Sequence, residues 1–70
     1  MPVLIHLRSP KVVNGKLCEY VYGEEDFPTT DSDFYEVGYT KRVLIPKADI
    51  ELIEKNVIFP KDDSNVLVVR

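Results

Sequence analysis

The dipeptide Asn14-Gly15 is the strongest local constraint in the chain. It stands between Val12-Val13 and Lys16-Leu17, and a two-residue hairpin turn needs positive φ at both central positions, which Asn and Gly adopt at least cost. The spacing predicts antiparallel strands over about 2–8 or 2–13 and over 16–22. It puts Lys11 opposite Cys18, and His6 opposite Gly23 unless a bulge intervenes. Pro10 cannot donate to a ladder, so the first strand should lie at an edge or bulge near Ser9-Pro10. In the second strand Cys18, Tyr20 and Tyr22 alternate with Leu17, Glu19 and Val21, the period of a sheet.

After the hairpin, Gly23 to Asp33 reads GEEDFPTTDSD, eleven residues with five carboxylates and no basic residue. Pro28 and the threonines give it turn chemistry, and a connection of this length is usually functional or unstructured. Phe27 could anchor it to the core. Phe34 to Ile45 returns to strand character, with Tyr35, Val37, Tyr39, Val43 and Ile45 on one face and Glu36, Thr40 and Arg42 on the other. Gly38 in its middle predicts a bulge or a break into two strands. Over 47–55 the expectation is a short helix: Pro46 suits a first turn, Asp49 and Lys55 suit the two ends, and Ile50, Ile53 and Val57 recur at helical spacing. Val43 to Asp49 is echoed by Val57 to Asp63, so both segments read as a strand running into a proline turn. NVLVVR, 65–70, reads as a closing strand.

These elements make a single domain over 1–70 of the α+β class. It is β-rich: a small antiparallel sheet of four to five strands with one short helix across it. The alternative is a small β-barrel of the Src-homology-3 type. There VLIPKADIELI would be a strand, a 3₁₀ turn at Pro46 to Asp49, and a closing strand.

Seventy residues leave little margin for such a fold. Surface scaling gives about 4,500 Å² folded against about 11,700 Å² unfolded, so only about 60% is buried. Domains of this size commonly rely on a disulfide, a metal or a partner. Cys18 is the only cysteine and His6 the only histidine, which removes an internal disulfide and most transition-metal sites. A homodimer is therefore the expected support. The opening MPVLIHLRSP has too short an apolar run for a signal peptide, no stretch is long enough to span a bilayer, and a lone cysteine suits the cytoplasm. With Met-Pro at its start and no tag, the expectation is a complete natural chain.

No catalytic constellation is present, so no enzyme is expected. The predicted register separates Cys18 from His6, and each reads as an ordinary sheet residue. Asp31-Ser32-Asp33 opens like a calcium loop, but Tyr35, Glu36 and Arg42 stand where the later ligands belong. The glycines are isolated, so no phosphate loop exists. No cofactor or metal is expected; the carboxylates of the 24–33 loop read as a solvated acidic segment.

The expected function is a non-catalytic protein-binding module that regulates or inhibits its partner. Its acidic, aromatic surface would comprise Tyr20, Tyr22, Glu24, Glu25, Asp26, Phe27, Asp31, Asp33 and Tyr35, meeting a basic surface on the partner. A net charge of −3 disfavours nucleic acid. The alternative nucleic-acid reading rests on Lys11, Lys16, Lys41, Arg42 and Lys47 gathering beside Tyr39 as a stacking platform. A further alternative is a structural subunit that offers its first strand or NVLVVR to a partner's sheet.

Overall fold

The computed structural model describes residues 1–25, 33–58 and 65–69. The elements run β1 (Pro2–Val13), β2 (Lys16–Glu24), β3 (Phe34–Val37), β4 (Val43–Pro46), a 3₁₀ turn at Lys47–Asp49, β5 (Ile50–Lys55) and β6 (Val66–Val68). A four-stranded sheet has the order β5-β1-β2-β6, and β3 and β4 form a second, two-stranded sheet. The accessible surface is 4677 Å², close to what the size of the chain demands.

The hairpin forms as the Asn-Gly pair requires. Asn14 has φ 49° and Gly15 φ 79°, and Lys11 faces Cys18. Beyond that point the ladder is interrupted. The stretch Leu7–Pro10 stands against Glu19 alone, after which His6 pairs with Tyr20 rather than Gly23. Both the Glu19 and the Tyr20 amides donate to the Asn65 carbonyl, at 2.8 and 3.1 Å, so β2 is itself irregular there. A bulge bends a strand and increases its twist. Here it also changes which face is buried: Cys18 and Val21, three apart, both point into the core.

The same device explains why the helix expected over 47–55 is not found. Pro46 lies at φ −56°, ψ 130° and Ile50 at φ −97°, ψ 125°, so only one 3₁₀ turn separates two extended segments. Ile53 faces Ile5 while Ile50 faces Leu7, with a register shift between His6 and Leu7 that leaves Glu51 over. Ile50 and Ile53 therefore share the inner face of a bulged strand. That is the spacing which imitates a helix turn.

The expected all-antiparallel arrangement also needs correction. β6 runs parallel to β2, with Tyr20 opposite Val66 and Tyr22 opposite Val68. The first strand is central rather than an edge over its first half, so it cannot extend a partner's sheet there. Val57 and Ile58 are not in a strand, and Phe59 to Ser64 lie outside the described residues. The described pairings form an open sheet with β5 and β6 as its edges, and closure into a barrel of the Src-homology-3 type is not seen among them.

The core lies between the two sheets. Val3, Ile5, Leu7 and Val21 from the large sheet meet Tyr35, Val37, Val43 and Ile45 from the small one, and Ile53 and Leu67 pack at its margin. Gly23 and Gly38 allow this close approach. A Cβ on Gly23 would stand 2.7 Å from a Val37 methyl, and Gly38, at φ +129°, has no room for one against the Lys41 carbonyl. The Gly38 amide donates to the Glu24 carbonyl at 2.8 Å, tying the end of β3 to the end of β2.

Candidate functional site

The inner face of the large sheet is closed by β3 and β4, so function falls to its outer face and edges. On that face the cross-strand rows are Leu52-His6-Tyr20 and Glu54-Leu4-Tyr22. His6 and Tyr20 meet edge to face, ring centroids 5.0 Å apart. The His6 Nε2 contacts the Glu54 carboxylate. Toward the other end of the face the Tyr22 hydroxyl donates to the Val57 carbonyl at 2.8 Å, so Tyr22 holds the chain that leaves β5. Among the described residues the Tyr20 hydroxyl makes no such bond.

Where the strands bulge, the outer face opens into a recess of about 160 Å³. Leu7 to Pro10 curve away from the ladder and form one wall; His6, Tyr20, Glu19 and Glu51 form the rest. Glu51 is present because it is the residue left over in β5, and Glu19 because it alone faces the β1 bulge. Arg8 is the cation in the wall, and its Nε donates to the Ala48 carbonyl at 3.1 Å. The recess thus brings His6 and Tyr20 together with Glu19 and Glu51, with Arg8 in its wall and Glu54 on His6.

The residues expected from the sequence are divided by the structure. Tyr20 is in the recess and Tyr22 on the same face. Glu24 holds the N-terminal amine at 2.5 Å, and Glu25 lies 3.7 Å from the Lys55 ammonium, so both are engaged within the chain. Asp33 is exposed, immediately before β3. Tyr35 is a correction: it is only 9% exposed and belongs to the core, because it faces inward opposite Ile45. Its hydroxyl is buried without a hydrogen-bond partner among the described residues. Asp26, Phe27 and Asp31 lie outside the described residues. The sequence reading missed Glu19, Glu51 and His6. Their signal was the irregular apolar spacing on either side of Glu19 and Glu51, which marks bulges.

Three of the five cations of the nucleic-acid reading are engaged by local partners. Lys11 pairs with Asp49, Arg42 with Glu36 at 2.6 Å, and the Lys16 ammonium donates to the Val66 carbonyl at 2.8 Å. Tyr39 is 71% exposed, in the turn between β3 and β4. Cys18 is buried, and burial raises its thiol pKa while the nearby Lys16 charge and a Val13 backbone hydrogen bond oppose the rise. No group of described residues has the makings of a metal site, and no helix among them is long and apolar enough to cross a membrane.

Comparison of the chain with protein-family models, with curated proteins and with solved structures returns no match.

Proposed function

We propose that the protein is a non-catalytic binding module that takes a basic side chain of a protein partner into the recess at His6 and Tyr20, and regulates or inhibits that partner by occupying its basic surface. The observation that carries this is the half-buried Tyr20 ring, braced edge-on by His6 and rimmed by Glu19 and Glu51. A lysine or arginine over a tyrosine face gains cation–π attraction, and carboxylates around it add charge complementarity. Tyrosine anchors of this kind commonly dominate interface energetics. The cytoplasm is the compartment we assign, on the single unpaired Cys18.

The test is affinity capture from a lysate of the source organism, with and without nuclease, using the native chain and the variants Tyr20→Ala and Glu51→Lys. A dominant protein that survives nuclease and is lost with both variants supports the reading. Retention by both variants removes the recess from it. Recovery that disappears with nuclease returns the argument to Lys11, Lys41 and Arg42.

A second reading concerns self-association. β5 is an edge of the large sheet, and an edge strand is a template for a further strand. Pairing of two copies there would give the small core the support its size calls for. Sedimentation as a monomer at high concentration would remove it.

A further inference from the structure

We infer that Asn14 is a site of spontaneous deamidation in the folded protein, at which the Gly15 main-chain nitrogen attacks the Asn14 side chain and converts it to a carboxylate. The reaction needs a side-chain amide that water can reach. It also needs a following main-chain nitrogen that is neither hydrogen-bonded nor crowded by its own side chain. The chain has three asparagines, in the pairs Asn14-Gly15, Asn56-Val57 and Asn65-Val66. The fold offers these conditions at the first pair and withholds them at the other two.

Asn14 is exposed, and neither its side chain nor the Gly15 N–H has a hydrogen-bond partner among the described residues. The two-residue turn is the reason. Ladder pairing stops at Val13 and Lys16, so the amides between them have no strand to donate to. Glycine carries no Cβ beside its own nitrogen, and nothing lies within 4 Å of where a Cβ on Gly15 would stand. After Asn56 the attacking nitrogen would be that of Val57, which donates to the Pro2 carbonyl at 3.3 Å. After Asn65 it would be that of Val66, a buried residue of β6. Both valines are β-branched, and their side chains crowd the nitrogen as well. Positive φ alone does not select the site, since Asn56 has φ 60° against 49° at Asn14.

Water is the only co-reactant. The Gly15 nitrogen gives up its proton and bonds to the Asn14 Cγ; the side-chain amide leaves as ammonia, and an imide ring closes. Water then opens the ring. Attack at Cγ gives aspartate, and attack at the main-chain carbonyl carbon gives isoaspartate, whose backbone runs through the side chain. Either product adds one negative charge to a net charge of −3. The turn holds them differently. Aspartate visits positive φ as asparagine does. Its carboxylate would line a cleft with Thr40 and with Lys41, whose ammonium has no ion pair among the described residues. Isoaspartate lengthens the backbone by one carbon, which a turn set by two φ values cannot absorb, so Val13 and Lys16 lose their pairing.

The test is incubation of the whole chain at pH 8, native and in urea, with peptide mass mapping of the three asparagines. A gain of about one mass unit, amide replaced by hydroxyl, is expected at Asn14 in the native sample and not at Asn56 or Asn65. Isoaspartate is expected among the products, because the imide route makes it and direct hydrolysis of the side chain does not. The other product should match the amide NMR spectrum of the Asn14→Asp variant, which keeps the hairpin. Three results overturn the inference. These are a gain at Asn14 in urea but not in the native chain, an equal gain at Asn56 or Asn65, and aspartate as the sole product.

Discussion

The two halves of β1 have opposite fates. From Val3 to His6 the strand is enclosed by β5 and β2, and Val3 and Ile5 are wholly buried. From Lys11 to Val13 it has β2 on one side only, and Val12, paired with Leu17, is 61% exposed as Leu17 is 62%. Four residues separate these halves, Leu7–Pro10, and they match a single residue of β2. A bulge is therefore more than an irregularity here. It ends one sheet environment and begins another within one strand: a recess forms beside it, and beyond it β1 has only β2 as a neighbour among the described strands.

The largest effect that could break this contrast lies in the enclosed half. Ile5→Ala, between Val21 and Ile53, should cost about 2–5 kcal/mol in urea unfolding. Val12→Ala in the far half should stay within about 0.5 kcal/mol. Equal costs would mean that the far half is as enclosed as the near one.

Next comes the wall opposite the far half. Gly38→Ala forces a Cβ into the Lys41 carbonyl at φ +129°, and should cost on the order of 3 kcal/mol with loss of the β3–β4 resonances first. A smaller effect belongs to the turn that ends β1: Asn14→Ala, at φ 49°, should cost about 1 kcal/mol in thermal unfolding.

Cys18 reports on the far half by titration. Its folded pKa is raised, chiefly by burial, so the native state holds the proton more tightly than the unfolded chain. Stability from this group is complete below the ordinary thiol pKa of 9.0 and is lost as pH rises above it toward the folded value. Alkylation at pH 8 should be slow, limited by opening of the hairpin, and Cys18→Ser should flatten the loss of stability at alkaline pH. Rapid alkylation in the native state would show the far half to be open.

The smallest expected change sharpens the boundary of the core. Tyr35→Phe removes a buried hydroxyl that has no partner among the described residues, so stability should be unchanged or slightly increased. A loss of more than about 1 kcal/mol would reveal a hydrogen bond to that hydroxyl.

Much of the sheet was legible because local chemistry and sheet period agree. Asn14-Gly15 set the turn and its first pairs, and Tyr35, Val37, Val43 and Ile45 face inward from β3 and β4 as their alternation requires, whereas Tyr39, expected on the same face, is 71% exposed in the turn between them. Gly38 was legible as a break because only glycine fits there. The candidate site was less so. Tyr20 and Tyr22 were found from their alternation, but Tyr35 shares that pattern and lies in the core, since alternation tells which residues share a face and not which face is covered. Glu24 and Glu25 were read as free acids, yet their partners, the N-terminus and Lys55, are distant in sequence.

The sequence by itself determined a β-rich chain, its first hairpin and its turn residues, because these follow from φ preferences and a period of two within a few residues. Only the tertiary structure decided the rest. Whether Ile50 and Ile53 are one helix turn or one bulged strand depends on Ile5 and Leu7, more than forty positions away, offering inward-facing partners at that spacing. The recess at Tyr20 and the loss of β5 as a neighbour in the far half of β1 likewise depend on the irregular stretch Leu7–Pro10. A bulge is stabilised by the strands on both sides of it, and no stretch of sequence carries its own neighbours.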